Sequence, residues 1–208
     1  MQKLHLRSDA KKEARSLVIS HHYSHRWPNA PSFVVTWHED GGLFGDRGAA
    51  VAAVTFSPAG GWKETTLELS RLVRVPGLDA PLTSLIGAAV RELRRQLMDS
   101  LVISYADPEA GHHGGIYQAA SWKYAGTYGS NIPRWIIDGI ELHQREVSDR
   151  WGSIVGLKER LGDRLVQRVP EPKHLYWRPL NSRGRAKAER LGLKSLPYPK
   201  PDGDGDKN

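Results

Sequence analysis

The sequence predicts a mixed α/β domain, and three observations lead to this prediction. Short apolar runs of strand type alternate with stretches of helical periodicity along the chain. The 208 residues are 39% hydrophobic and 25% charged, the composition of a globular protein long enough to bury a core. Neither an internal repeat nor a linker rich in Gly, Ser or Pro divides the chain. We therefore expect a single domain over residues 1–200, followed by a disordered tail over 201–208.

The first half of the chain is predicted to hold a helix, three strands and a second, longer helix. The first helix starts at Ser8 or Asp9, either of which is a suitable N-cap, and leads into a polar, aromatic loop closed by Pro28. The longer helix carries an apolar stripe at helical spacing. The predicted ranges are 8–19 for the first helix, 32–38, 48–56 and 65–75 for the strands, and 80–97 for the second helix.

The second half begins with a strand, a glycine-rich loop and a helix. The strand Leu101–Ser104 ends before Asp107 and Pro108, because Pro cannot continue a β-ladder. A hairpin is indicated at Asp138 and Gly139, between two apolar runs. The remaining predicted elements are a helix from Ser148 to about Gly162, strands at 164–169 and 173–178, and a basic arm within about 164–200.

This order of elements resembles that of the GNAT acetyltransferase fold. In that fold a mixed central sheet splays at its middle and admits a cofactor. We therefore expect a GNAT-like mixed sheet, splayed at its centre and flanked by helices, with a basic C-terminal extension.

Composition also limits the classes of function. The absence of cysteine excludes disulfides, cysteine-ligated zinc and a thiol nucleophile. No apolar run approaches the length of a membrane span, and the first residues lack the apolar region of a signal peptide, so we expect a cytoplasmic protein with no membrane partner. The net charge of +7 and the isoelectric point near 9.7 favour an anionic partner, and we expect nucleic acid.

Four polar side chains are predicted to meet where the central strand ends. Asp107 follows the strand, His112 and His113 lie in the glycine-rich loop, and Tyr117 lies on the next helix. Chemistry in open α/β sheets is commonly placed at such strand ends. In the alternative interpretation the glycines form a turn, Asp107 is a cap and Tyr117 belongs to the core. The cluster as a whole favours a functional site, because crowded polar groups are costly to desolvate.

With these residues and three further motifs, the sequence resembles the phage Mom proteins, which are DNA-modifying enzymes with a GNAT-like fold. The resemblance rests on His22-Tyr23-Ser24-His25, on Glu68-Leu-Ser-Arg-Leu72, on the block from Tyr105 to Trp122, and on Lys173-His174 with Pro197-Tyr-Pro-Lys200. It implies a transferase that converts the N6 amine of adenine in double-stranded DNA to a carbamoylmethyl derivative, which hides phage DNA from host restriction enzymes. The expected location is then the cytoplasm of the bacterial host, and a homodimer is compatible with the sequence.

The resemblance assigns catalytic positions residue by residue, to His22, Tyr23, Asp107 and Tyr117. Asp107 is suited to accept a proton from N6, and Tyr117 to donate one to a leaving group. His22 is suited to act as a base, to orient Tyr23 or to bind a metal. The O/N donor set of His22, Tyr23 and Asp107 suits iron, and metal-free catalysis is the alternative.

The cofactor expectation is mixed. Ser70, Arg71 and Leu72 lie on the strand predicted to flank the cofactor cleft. The fold suggests acetyl-CoA or another acyl-CoA, but the glycine-rich loop that would hold its pyrophosphate is missing after Val75, where only Gly77 remains. The sequence does not identify the group donor.

DNA is the expected partner. The target base must be extruded from the duplex and stacked on an aromatic side chain such as Tyr23, Trp27 or Trp122. The residues predicted to bind phosphates are all basic and lie in the C-terminal part: Arg164, Arg168, Lys173, Arg178, Arg183, Arg185, Lys187 and Arg190.

Two other classes of function remain open at the level of sequence. A GNAT-fold acyltransferase that acts on a small-molecule, aminoacyl or protein amine would bind CoA and would not need DNA. A basic DNA-binding protein without catalysis would leave Asp107 and Tyr117 unused. An N6-adenine methyltransferase is disfavoured, because Asp107-Pro108 continues as Glu109-Ala110 and no glycine-rich S-adenosylmethionine loop is present.

Overall fold

The computed structural model describes residues 4–40, 48–96, 99–129, 133–142, 144–152 and 155–199. A seven-stranded sheet with the strand order β1-β2-β3-β4-β5-β10-β6 forms its centre, and a smaller sheet has the order β8-β7-β9. The strands are β1 (Leu4–Ser8), β2 (Phe33–Glu39), β3 (Ala50–Pro58), β4 (Leu67–Arg74), β5 (Leu101–Ala106), β6 (Lys123–Tyr128), β7 (Arg134–Ile137), β8 (Ile140–Leu142), β9 (Leu165–Arg168) and β10 (Lys173–Pro179). The helices are α1 (Lys11–His21), α2 (Leu82–Arg95), α3 (Gly115–Ala119), α4 (Gln144–Trp151), α5 (Leu157–Leu161) and α6 (Ser182–Arg190).

Helices cover both faces of the large sheet. Helix α1 packs Leu17 and Val18 against β2, β3 and β4, and α6 packs Ala188 against Leu101 and Ile103 of β5. Val102, which points to the opposite face of β5, belongs to the core beneath the apolar stripe of α2. The sheet is therefore the middle layer of three, as expected for an α/β domain.

The large sheet splays between its two central strands. Strands β4 and β5 are parallel and pair only at Leu67 with Val102 and Glu68 with Ile103, after which the ladder stops. The other neighbouring pairs are antiparallel, and the β3–β4 ladder shifts register between Thr55 and Phe56. The prediction of a mixed sheet that splays at its centre is confirmed.

Several local predictions are corrected. Ser8 lies in β1, which we did not predict, and neither Ser8 nor Asp9 caps α1; the N-cap is Ala10, without a side-chain hydrogen bond. Strand β6 was also missed. The helix expected from Ser148 begins earlier, at Gln144, and the segment holds two separate helices.

The C-terminal part is built into the fold. Strand β10 lies inside the large sheet between β5 and β6, and the basic arm contains helix α6. The prediction that this segment forms a C-terminal extension is therefore wrong, because apolar residues of β10 and α6 complete the core under the sheet. The predicted tail at 201–208 lies outside the described residues. Within the described part of the chain, no helix has the length and apolar character that a membrane span needs.

Candidate active site at the splay of the central sheet

A cavity of about 400 Å³ lies where β4 and β5 diverge, and we call it the cleft cavity. Six segments line it: the loop after α1, the middle of β4, the start of α2, the end of β5, the glycine-rich loop that leads into α3, and the start of β10. The cavity brings together all seven residues predicted for catalysis and cofactor binding: His22, Tyr23, Ser70, Arg71, Leu72, Asp107 and Tyr117. Their roles stay predictions, but their convergence is a structural fact.

Asp107 is held by the backbone of its own loop and by one cation. Its Oδ1 accepts a hydrogen bond from the Glu109 N–H at 3.2 Å, because Asp107 caps the 3-10 turn Pro108–Ala110. Its Oδ2 lies 2.7 Å from Nζ of Lys173, which we had predicted to bind phosphate. The structure thus gives Lys173 a partner inside the site.

Tyr117 is a buried phenol, and burial raises its pKa to about 12. It is therefore protonated at neutral pH. The Ser104 hydroxyl lies 2.7 Å from the Tyr117 hydroxyl and 2.8 Å from the Leu69 carbonyl oxygen, which can only accept. The Ser104 hydroxyl has one hydrogen and can donate to only one of these two oxygens. If it donates to Leu69, the Tyr117 hydroxyl must donate its own proton to Ser104. If it donates to Tyr117, the Tyr117 proton remains available to the cavity.

His22 is 8% exposed, and its pKa is lowered to about 4 by burial and by the nearby charge of Arg71. The ring is therefore neutral at neutral pH. The Ser24 backbone N–H donates to Nδ1 at 3.1 Å, so the single ring hydrogen is on Nε2. This arrangement disfavours the predicted role of a base and leaves Nε2–H as a hydrogen-bond donor, a role that we did not predict. Tyr23, at 56% exposed, lies between the rings of His22 and His112: the His22 ring is tilted against it at a centroid distance of 4.4 Å, and the His112 ring meets it edge-on at 5.1 Å.

The glycine-rich loop brings α3 against β10. Gly114 has φ +85°, and a Cβ there would overlap the ring of Tyr176. The Tyr176 hydroxyl donates to the His113 carbonyl at 2.7 Å and accepts from Gln118 at 3.0 Å. Only glycine permits this approach, which fixes the first turn of α3 and with it Tyr117.

Glu68 is the site residue that we missed, although it stands in one of the motifs that carry the resemblance. It lines the cleft cavity, and burial raises its pKa, although Arg71 and Lys173 oppose the shift. Arg71 instead donates to the backbone carbonyls of Arg26 and Ser70, at 3.0 Å and 2.6 Å. The sequence signal was a carboxylate inside a central strand, where burial of a charge needs a reason.

The predicted cofactor residues offer a polar rim and an apolar wall. The Ser70 hydroxyl lies 3.0 Å from both the Thr55 and the Ser57 hydroxyls, so it is already held within the sheet.

In the connection from β4 to α2, Arg74 donates to the carbonyls of Leu78 and Ala80, and Pro81 caps the helix without an N–H. This connection does not form a glycine-rich pyrophosphate cradle, in line with the degenerate motif.

The iron hypothesis gains no support from the donor set. Over the residues described, no three His, Asp or Glu side chains are grouped so that they could hold a metal ion. Asp107 Oδ2 is paired with Lys173, and His22 Nδ1 is bonded to Ser24. The residues His22, Tyr23 and Asp107 therefore do not fit an iron site in this arrangement, and no step below uses a metal.

Most of the residues predicted to bind phosphate are already in ion pairs. Arg164 forms a bidentate pair with Asp138, and Arg190 forms one with Glu64. Arg168 bonds to Glu109 and Glu141. Within the ranges that the structure describes, Arg183 and Arg185 are exposed on α6 and have no carboxylate at ion-pair distance.

Two further predictions about DNA contacts are corrected. Lys187 is only 7% exposed, and its Nζ bonds to Asp99 and to the Thr65 carbonyl, so it is an internal cation and not a surface one. Trp122 is fully buried against Tyr117 and cannot stack on an extruded base.

Arg178 lies near Arg91 and Arg94, and burial together with these like charges lowers its pKa. Sequence reasoning did not select Arg91 or Arg94 of α2.

Solved structures that are similar to this chain include acetyltransferases, at low sequence identity. An N-acetyltransferase from Staphylococcus aureus Mu50 has 9% identity and a TM-score of 0.47, covering 86% of this chain and 98% of its own. A putative acetyltransferase from Salmonella typhimurium with its cofactor acetyl-CoA has 10% identity and a TM-score of 0.49, covering 86% and 95%. A GNAT family N-acetyltransferase from Escherichia coli in complex with CoA has 14% identity and a TM-score of 0.44, covering 59% and 70%. Similarities of this size carry no functional inference.

The comparison of sequences is more informative. No curated protein matches the chain. A family model described as the Mom protein family matches residues 3–200. This match spans both sheets and every segment that lines the cleft cavity.

Proposed function

This chain belongs to the Mom protein family, and from that premise we propose that it is a transferase that modifies the exocyclic N6 amine of adenine in double-stranded DNA. The product is a carbamoylmethyl derivative of adenine, which protects phage DNA from host restriction enzymes. One observation carries the proposal: the positions that match the family's functional residues, His22, Tyr23, Asp107 and Tyr117, line a single cavity at the splay of the sheet.

The chemistry starts from a weak nucleophile. The lone pair of adenine N6 is delocalised into the ring, so the amine must lose a proton as it forms a bond to carbon. Asp107 and Glu68 supply carboxylates in the cleft cavity, and the Lys173 ammonium holds one oxygen of Asp107 at 2.7 Å. A carboxylate at N6 accepts the proton while the N6–carbon bond forms.

The group donor needs a proton for its leaving group, whereas the N6 amine must lose one. As the N6–carbon bond forms, the bond between the transferred carbon and the leaving group of an activated carbamoylmethyl donor breaks. The protonated phenol of Tyr117 is suited to give its proton to that leaving group, because its pKa of about 12 keeps the proton in place until then. Nε2–H of neutral His22 is available to hold an oxygen of the donor.

The DNA part of the proposal rests on charge and on access. The net charge of +7 favours binding to phosphates, and a base inside a duplex must be extruded before its N6 can enter a cavity. Tyr23 is exposed at the mouth of the cleft cavity, and Arg91 and Arg94 of α2 are exposed near the half-buried Arg178.

Mass spectrometry of nucleosides from plasmid DNA tests the proposal in cells that express the chain. Carbamoylmethyl adenine is expected with the wild-type chain. Asp107→Asn and Tyr117→Phe should each lower it by a factor of about a hundred or more, the usual contribution of a positioned acid or base. Asp79→Asn, in an exposed loop, is the matched control and should modify DNA normally.

Thermal melting separates catalysis from folding. Both site variants should melt near the wild-type temperature, since neither change opens a large cavity. Unmodified DNA from cells that express the wild-type chain would overturn the proposal. Acetylated small molecules or proteins that depend on expression of the chain would indicate the acyltransferase class instead. Normal modification by both variants would overturn the assignment of Asp107 and Tyr117.

A further inference from the structure

A second cavity, of about 490 Å³, lies beside the cleft cavity, and we call it the aromatic chamber. Glu68, Tyr105 and Lys173 line both cavities, so these three side chains form the wall between them. Tyr105 follows Ser104 in β5 and therefore points to the opposite face of the sheet from Ser104 and its partner Tyr117. The two cavities thus approach the same carboxylate, Glu68, from different sides.

One wall of the aromatic chamber is formed by Tyr105 and Tyr128, which belong to a cluster of three aromatic rings. The rings of Tyr128 and Trp62 are stacked, with centroids 5.9 Å apart and planes 13° apart, and the Tyr105 ring lies 5.5 Å from Tyr128. Trp62 Nε1 donates to the Tyr105 hydroxyl at 3.0 Å, which locks the cluster together. Tyr128 keeps 41% of its surface exposed although Trp62 stacks on it. An exposed aromatic face of this kind stacks favourably on a nucleobase.

A second chamber is what a transfer reaction needs. Such a reaction brings two substrates to one centre, whereas a cavity of about 400 Å³ is near the lower end of the range that holds one small ligand. The cleft cavity already contains the proton donor Tyr117 and the residues predicted to face a cofactor. The second substrate must therefore reach the centre from another direction, and the aromatic chamber offers one that ends at Glu68.

We propose that the aromatic chamber receives the purine to be modified, which stacks on Tyr128 with its exocyclic amine directed at Glu68, while the group donor occupies the cleft cavity. Glu68 then accepts the N6 proton from the side opposite the donor. The identity of the purine as a DNA adenine rests on the function proposed above, whereas the binding of a planar ring to this wall does not.

Titration with 2-aminopurine 2′-deoxyriboside, a fluorescent adenine analogue whose emission falls on stacking, tests the inference on the full-length chain. Deoxyadenosine is the competitor. We expect quenching with the wild-type chain and with Tyr128→Phe, which keeps the ring, and about tenfold weaker binding with Tyr128→Leu, the loss expected for one base–aromatic stack. Tyr198→Leu is the matched control, because it removes an exposed ring that lines neither cavity and should bind the probe normally. Tyr23→Leu tests the competing position, the exposed ring at the mouth of the cleft cavity.

The outcomes separate this inference from the proposed function. Equal binding by Tyr128→Leu and the wild type, binding lost only with Tyr23→Leu, or no binding to the wild type would each overturn the aromatic chamber as the purine site. If the binding depends on Tyr128 but cellular DNA carries no modified adenine, the proposed function fails and the ring site stands. Loss of DNA modification in Tyr128→Leu, with recovery in Tyr128→Phe and unchanged melting temperatures, would support both.

Discussion

At the scale of single residues, burial decides which groups of the site carry protons. Burial raises the pKa of Tyr117 to about 12, raises that of Glu68 and lowers that of His22 to about 4. The common cause is the loss of water around the charged form. The site therefore holds a neutral phenol and a neutral imidazole at neutral pH, beside the Asp107–Lys173 ion pair.

His22 makes stability depend on pH. Its pKa is about 4 in the folded chain, against about 6.5 when unfolded, so the unfolded chain binds more protons between these values. The contribution of His22 to the free energy of unfolding should be fully present above about pH 6.5. It should fall as the pH drops towards 4, by at most about 3 kcal/mol. Arg71, His25 and His112 face the ring and oppose its protonation.

Urea unfolding at several pH values measures this dependence. His22→Gln should flatten the profile between pH 4 and 7, whereas His21→Gln, at the exposed neighbouring position, should retain the wild-type slope. Identical slopes for the two variants would contradict the lowered pKa of His22.

At the scale of elements, α6 is a packing element despite its basic sequence. A Cβ at Gly184 would overlap the Ser100 carbonyl, so the helix lies directly against the start of β5. Asn181 caps the helix by accepting from the Gly184 N–H at 2.9 Å. Ala188 and Lys187 are buried on the same side, and Lys187 pairs with Asp99 at 3.0 Å.

Lys187→Met should destabilise the fold by about 3 kcal/mol, because it leaves a nearly buried carboxylate at Asp99 without its cation. Arg185→Met, on the exposed side of the same helix, should change stability by no more than about 0.5 kcal/mol. Denaturant unfolding measures both. The double variant with Asp99→Asn should recover part of the loss, and purely additive effects would show that the pair is not coupled.

At the scale of the whole molecule, ion pairing redistributes the positive charge available to DNA. Arg164, Arg168 and Arg190 are each engaged by carboxylates, so they contribute little net attraction. In the described part of the chain, Arg91 and Arg94 on α2 are exposed without an ion-pair partner and lie near Arg178. This cluster is therefore a stronger candidate for phosphate binding than most of the predicted arm.

DNA binding should weaken steeply with salt, since each phosphate neutralised contributes about 0.9 to the slope of log K against log [salt] for duplex DNA. Combining Arg91→Gln with Arg94→Gln should reduce the slope by about 1 to 2. Combining Arg164→Gln with Arg190→Gln removes the same charge from paired positions and should leave the slope nearly unchanged. Filter binding or fluorescence anisotropy at several salt concentrations measures the slopes, and a flat response in the wild type would contradict DNA binding.

The sequence by itself determined the fold class and the centre of the site. Apolar periodicity located the long helix α2 and strands β2 to β5, because such patterns depend only on which face of an element is buried. Pro108 and the glycines after it marked the end of β5, and the family motifs selected His22, Tyr23, Asp107 and Tyr117, all of which line one cavity.

Tertiary structure alone decided which charges are free and which groups are neutral. Lys173, Lys187 and Arg190 look alike in the sequence, yet one pairs inside the site, one is buried in the core and one is bound at the surface. Likewise, Glu68 became a site residue only because the short parallel contact between β4 and β5 buries its carboxylate between two cavities. The physical reason is that ion pairing and desolvation depend on distances between residues far apart in the chain, which local patterns do not encode.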